Sequence, residues 1–252
     1  MDKKQQPYSV LEGERPDIVL DLNDGTEEQV SIIVVHRDRP EFLNICLQSI
    51  AVTSVNHNYE IILVDNGSTK KDALDYLDAL EKEPDIKVVR QGTNKWWSSA
   101  ANAGARAADK NSKYLIFMHH DVVVINPAWI DLLVNISEAQ GSGCLGLESA
   151  TYQFDKKRLD FIQEWCLMVR RDCWKDCGPF IEELPQVGAP FLFTLRAQQK
   201  GYKPQLVGKL PIAHHYKAFA MDYSDYERLS EAAMATIPKL ILEMQKNNKV
   251  KV

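Results

Sequence analysis

The chain has 252 residues, a formal net charge of −5 at pH 7, 45% hydrophobic and 26% charged residues. That is enough chain for one large or two small domains with a proper core, in the balance of an ordinary soluble globular protein. The negative total argues against non-specific nucleic-acid binding, although a local basic groove can hide inside it. No apolar segment approaches the roughly 20 residues that span a bilayer. The start, MDKKQQPYSV, lacks the apolar core of a signal peptide, so a cytoplasmic location is expected. Five cysteines, Cys46, Cys144, Cys166, Cys173 and Cys177, are odd in number and form no CxxC. They are read as reduced thiols, with Cys173 and Cys177 packed on one helical face.

Residues 1–29 are polar and acidic and read as an N-terminal extension, with Ile18-Val19-Leu20 as a possible short strand. VSIIVV (Val30 to Val35) is a β-branched run and predicts a buried strand, broken by His36-Arg37-Asp38-Arg39-Pro40. Pro40 suits a first helical turn. Phe42, Leu43, Cys46, Leu47 and Ile50 then recur at helical spacing. YEIILV (Tyr59 to Val64) predicts a second strand ending in Asp65-Asn66-Gly67-Ser68, followed by a helix with Leu74, Leu77 and Leu80. Ile86 to Val89 predicts a third strand. This β-α-β-α-β order argues for a mostly parallel sheet with helices on both faces, which binds ligands at the carboxyl ends of its strands.

A helix follows across Asn94 to Ala108, in which Asn102 and Gly104 are poor interior choices. They point to a close approach, either to the sheet or to a ligand. Trp96 and Trp97 read equally as core and as a ligand wall. The next stretch, YLIFMHHDVVVIN (Tyr114 to Asn126), holds His119-His120-Asp121 between two apolar runs. Two imidazoles and a carboxylate at a strand end are costly to bury unless compensated. A Mn²⁺-like ion would compensate them and could hold a diphosphate; a solvated strand end is the other reading. Beyond Pro127, a helix is expected from about Ala128 to Ala139, with Trp129, Ile130, Leu132, Leu133 and Ile136 inward. Gly141 to Gly146 is expected to be a turn and a short strand, Phe161 to Val169 one strand, Arg170 to Cys177 a short helix, and Pro190 to Lys200 a helix stopped at Gly201. Two short extended pieces lead to His214-His215-Tyr216. A final amphipathic helix carries Leu229, Ala233, Ile237, Leu240, Ile241 and Met244 on one stripe. Its polar face is not strongly basic, so it is read as packed on its own domain rather than on a membrane.

Taken together and in order, several segments resemble a family 2 glycosyltransferase of the GT-A fold. They are VSIIVVHRDRPEFLNICLQSI, YEIILVDNGST, NKWWSSAANAGARAA with KYLIFMHHDVVVINPAWIDLL, WCLMVRRDCWKDCGPF, and LRAQQKGYK with a later histidine. The resemblance covers roughly residues 30 to 216. It implies an α/β, Rossmann-like GT-A domain over 30–222, with a small acceptor-side β/α part. Residues 30–126 would be the nucleotide-sugar-binding half, 127–222 the acceptor-side half, and 223–252 a C-terminal helix. It also implies transfer of a sugar from a nucleotide-diphosphate sugar to an acceptor hydroxyl, with Mn²⁺ or Mg²⁺ on the diphosphate. A glycan, a lipid-linked sugar, a protein or a modified nucleic-acid base would all serve as acceptor. By the same resemblance Asp65 and Asn66 sit beside the ribose and base, and His36, Arg37, Trp96, Asn102, His119 and His120 belong to the donor site. Asp121 matches the last aspartate of D-x-D, and His214 or His215 the late histidine that completes the metal or diphosphate site. Without the resemblance, Asp65 also reads as a turn cap.

Two departures qualify it. His119 stands at the first aspartate of D-x-D, which brings no negative charge and sets an expectation of weaker metal binding below about pH 6.5. The acidic pair that inverting members carry before the R-x-x-x-x-G segment is replaced by Ala189-Pro190. Glu182 and Glu183, which read equally as a solvated loop, are then the nearest candidates for a general base, with Glu164 a third. A second class of function is a GT-A domain that has lost its base and only binds nucleotide-sugar or a partner. A nucleotidyltransferase is disfavoured, because no Gly-rich phosphate loop with a following lysine lies near the first strand. Trp165 and Trp174 read both as sugar-stacking rings and as core.

Overall fold

The structure is a computed structural model that describes residues 28–184, 188–208, 210–215 and 223–246. Residues 1–27 of the extension, including the suggested strand at Ile18 to Leu20, lie outside the described residues, as does Tyr216.

The elements begin with β1 (Val30–His36), α1 (Pro40–Thr53), β2 (Tyr59–Asp65), α2 (Lys71–Leu80), β3 (Ile86–Arg90), α3 (Trp96–Ala107), β4 (Tyr114–His119), β5 (Val122–Val124) and α4 (Trp129–Gln140). They continue with β6 (Cys144–Gly146), β7 (Ser149–Phe154), β8 (Lys157–Ile162), β9 (Cys166–Arg170), α5 (Arg171–Cys177), α6 (Ala189–Gln199), β10 (Gln205–Leu206), β11 (Ile212–His214) and α7 (Tyr223–Lys246). Seven strands form one sheet in the order β10-β6-β9-β4-β1-β2-β3. The strands β3, β2, β1 and β4 are mutually parallel, and β9 alone runs against its neighbours.

Alternation along the strands divides the core between the two faces of the sheet. Ile33, Val35, Ile62 and Val64 face α3, α6 and α7, while Ile32, Val34 and Leu63 face α1 and α4. Both sets are fully or almost fully buried, which is why these strands read as continuous apolar runs. Gly104 is what allows α3 to lie on the sheet. A Cβ there would stand 2.3 Å from Ile33 Cγ2 and 3.1 Å from Val64 Cγ2. The close approach predicted for Gly104 is therefore to the sheet.

Two local expectations are revised. Phe161 to Val169 is not one strand: Gln163-Glu164-Trp165 interrupts it, so that β8 pairs with β7 while β9 turns into the main sheet. The β7–β8 hairpin closes on Asp155 and Lys156 with φ of 46° and 61°. This two-residue left-handed turn lacks the Asn-Gly or Asp-Gly signature that would have announced it. In α4, Val134 is buried and Leu132 only half-buried. On the last helix Ile237 and Ile241 are buried in the same cluster as Phe191 and Phe193, with Leu240 against it; the side chains of Leu229, Ala233 and Met244 lie outside the described residues. All five cysteines are buried free thiols. Among the described residues no helix is long and apolar enough to cross a membrane.

Candidate active site

Strand register lines up the polar clusters. His36 is paired with Asp65 across β1–β2, and Val35 with His119 across β1–β4, so all three clusters reach the carboxyl edge of the parallel strands. In the order β3-β2-β1-β4 the connections diverge between β1 and β4, the place where open α/β sheets take ligands.

His119 ends β4 and Asp121 lies in the tight turn to β5. The antiparallel pair β5–β11 sets His214 opposite Val122. Ligand atoms of His119, Asp121 and His214 all lie within 4.8 Å of one another. His214 Nε2 is 3.3 Å from Asp121 Oδ1, with both side chains 8% exposed. His119 Nε2 is buried with no hydrogen-bond partner among the described residues. A buried donor set of two imidazoles and one carboxylate with an unmatched nitrogen is what a divalent cation would satisfy. Burial, against the opposing charge of Asp121, pushes the His119 pKa down to about 3. The expected proton competition near pH 6.5 therefore does not apply to His119, whose ring is already the neutral ligand form. At Asp121 burial acts to raise the pKa. The hydrogen bond from His214 and the neighbouring imidazoles outweigh it, so the carboxyl lies below its ordinary value.

Adjacent strand residues point to opposite sides, and this separates the two late histidines. The His215 ring lies 6.1 Å from Phe42, and only its backbone N–H meets the cluster, donating to Asp121 O at 3.0 Å. His120 also turns away, with Nδ1 3.2 Å from Val35 O and its ring 5.1 Å from that of His36. His36 is 1% exposed, and both its ring nitrogens lack partners among the described residues. Burial, then His120, take its pKa down to about 3, with Asp38 opposing.

Around Asp65 the loops are tied together. Asp65 Oδ1 accepts the Ser68 N–H at 2.9 Å, the turn cap that its sequence allows. Asn66 is engaged with the β3–α3 loop: it donates to Asn94 Oδ1 at 3.0 Å and accepts from Lys95 N at 2.9 Å. Asp38 accepts from the N–H groups of Thr69 and Lys70 at the start of α2, at 2.6 and 2.8 Å. Arg37 Nε stays 3.7 Å from Asp38. Trp96 is half-buried at φ 65°, whereas Trp97 is core, 4.8 Å from the Phe180 ring and 6.3 Å from the His119 ring.

Asn102 is buried and spends its amide on protein. Its Oδ1 accepts from Phe180 N at 3.0 Å, and its Nδ2 donates to Phe180 O at 2.9 Å and to Glu182 Oε1 at 3.0 Å. Ser98, one turn nearer the start of α3, donates to Leu184 O. These bonds hold the segment bearing Glu182 and Glu183 along α3, rising toward the end of the helix where His119 lies. Both glutamates are exposed, and Ala189-Pro190 is buried at the start of α6. Asp38, Asn94 and Ser98 were missed as site-shaping residues. Of these, only Asp38, followed thirty residues later by Ser-Thr-Lys before a helix, left any trace, and nothing short-range linked the two.

A mostly parallel sheet of this order, with its polar loops and His/Asp/His cluster on the carboxyl edge, is that of a GT-A glycosyltransferase fold. Solved structures share it. GalNAc-T7 with UDP, GalNAc and Mn²⁺ matches with a TM-score of 0.61 at 17% identity, over 84% of this chain and 48% of that one. The mannosyltransferase PcManGT from Pyrobaculum calidifontis, in complex with GDP-Man and Mn²⁺, matches with a TM-score of 0.60 at 12% identity, over 91% and 79%. The sequence profile of glycosyl transferase family 2 matches residues 31–176, and the chain belongs to that family. It is 21% identical over 225 residues to the O-antigen biosynthesis protein RfbC of Myxococcus xanthus, covering 75% of this chain. The chain spans less than a fifth of the curated relatives it matches, 13% of one and 17% of RfbC.

Proposed function

We propose that the chain transfers a sugar from a nucleoside-diphosphate sugar to an acceptor hydroxyl, with Mn²⁺ or Mg²⁺ held by His119, Asp121 and His214. The observation that carries this is the convergence of three ligand atoms within 4.8 Å, two from the β4–β5 turn and one from β11, at the carboxyl edge of the sheet. The Mn²⁺ and nucleotides bound by the neighbours PcManGT and GalNAc-T7 support it. When bound, the cation would neutralise the diphosphate as its charge develops on leaving. Asp121 stays ionised to hold it, and His119 stays neutral. His36, Arg37 and Asp65 form the nucleoside side of the site, while Asn66 and Trp96 shape the loop beside them. Asn102 holds Glu182 in place to take the proton from the acceptor hydroxyl, with Glu183 as the alternative base on the same segment. The acceptor classes remain a glycan, a lipid-linked sugar, a protein or a modified base.

A thermal-shift series with UDP, GDP and their sugar conjugates, with and without Mn²⁺, tests this reading. A ligand that binds only the folded state raises the apparent Tm. A rise that needs both Mn²⁺ and one nucleotide is expected; no rise with any nucleotide overturns the reading. The burial of Ala189-Pro190 where inverting relatives carry acids favours a second reading, a binding module without turnover. Release of nucleoside diphosphate from the donor, lost in Glu182→Gln, decides against it. Nucleotide binding without any release decides for it.

A further inference from the structure

Trp165 touches two of the three proposed metal ligands. It sits in the break between β8 and β9, 7% exposed. Its carbonyl accepts the backbone N–H of His119 at 3.0 Å. Its indole lies parallel to the His214 imidazole, with an interplanar angle of 7° and ring centroids 4.9 Å apart. On its far side Nε1–H donates to Glu148 Oε2 at 3.0 Å. Apart from the other two proposed ligands, Asp121 at 3.3 Å and the His119 ring at 5.4 Å, His214 is carried by a ladder of three residue pairs, Ile212 to His214 on Val122 to Val124. A ladder that short fixes a backbone better than it fixes a ring. With one face against His214 and little surface left, Trp165 is not placed to stack on a sugar.

Resting on the metal-site reading above, we propose that Trp165 is the positioning residue of that site. It sets the His119 backbone and the His214 ring in register, and Glu148 fixes the indole that does so. Partners that orient metal-bound histidines commonly alter metal affinity by about 10- to 100-fold when removed.

The test is Mn²⁺ affinity, read from the electron paramagnetic resonance signal of the free ion, for the full chain and for Trp165→Ala, Trp165→Phe and Glu148→Ala. Trp165→Ala is expected to weaken Mn²⁺ binding about 10-fold or more. Trp165→Phe, which keeps a flat ring against His214, is expected to restore most of it. Affinity for UDP or GDP without Mn²⁺ should be unchanged in all three, which separates this role from general loss of structure. Should Trp165→Ala not fold, Glu148→Ala carries the test, since it frees the indole without emptying the site. Wild-type Mn²⁺ affinity in Trp165→Ala or, failing that variant, in Glu148→Ala overturns the proposal. A wild-type chain that binds no Mn²⁺ overturns the metal-site reading itself.

Discussion

At Asp121 burial acts to raise the carboxyl's pKa, and the hydrogen bond from His214 together with the neighbouring imidazoles brings it below its ordinary value. Asp121→Asn keeps the shape and removes the charge. We expect it to fold, with a Tm near wild type in the absence of metal, and to lose the Mn²⁺-dependent thermal shift with nucleotide. Donor hydrolysis should fall about 100-fold or more, in the range set by losing electrostatic stabilisation of the reacting centre. His36 makes a pH prediction of definite sign. Its pKa is about 3 when folded, against the 6.5 of a free imidazole. Between those values the unfolded chain takes a proton that the folded chain refuses. Stability is therefore whole above about pH 6.5 and falls as the pH drops toward 3. His119 acts in the same direction. His36→Gln should flatten the acid limb, so that the Tm lost between pH 6.5 and 4.5 shrinks by about 3 °C or more in parallel thermal melts.

The element that organises the site is α3, because it meets the sheet, the donor loops and the Glu182 segment at once. Its two misfit residues do different work. Asn102→Ala would leave the buried Phe180 N–H and C=O without partners, at about 1–3 kcal/mol for each group. A urea titration should show a lower midpoint with the slope unchanged, and acceptor transfer should fall along with it as Glu182 loses its tether. Gly104→Ala forces a methyl against Ile33 and Val64, and should cost about 1–3 kcal/mol by overpacking. Because that strain lies beneath the sheet and away from Glu182, donor binding in the folded fraction should be unaffected. Asn102 was legible in the sequence as a residue with a reason to be there. Its partner, nearly eighty positions along the chain, was not.

Over the whole molecule, α7 is part of the core. Ile241 and Ile237 are buried with Phe191, Phe193 and the α3 face of the sheet. Ile241→Ala should cost about 2–5 kcal/mol, read as a lower urea midpoint. Unfolding followed by tryptophan fluorescence and by far-UV circular dichroism should coincide, since helix and sheet share one cluster. An early helical loss in circular dichroism alone would show α7 to be a separate unit.

The central strands and helices were determined by the sequence itself. Strands buried on both faces must be apolar throughout, and helices packed on one side must repeat at helical spacing, so β1, β2, β4, α1 and α4 leave local signals. His119 and Asp121 could be read for the same reason, as polar residues breaking an apolar run. The choice of His214 over His215 was decided only by the β5–β11 register, because a shift of one residue reverses which side chain faces Asp121. The break at Gln163 to Trp165 depended on two different sheets competing for one apolar stretch. The contacts of Trp165 with His119 and His214, and of Asn102 with Phe180, join residues far apart in the chain. Such contacts are set by the packing of whole elements, and no local pattern encodes them.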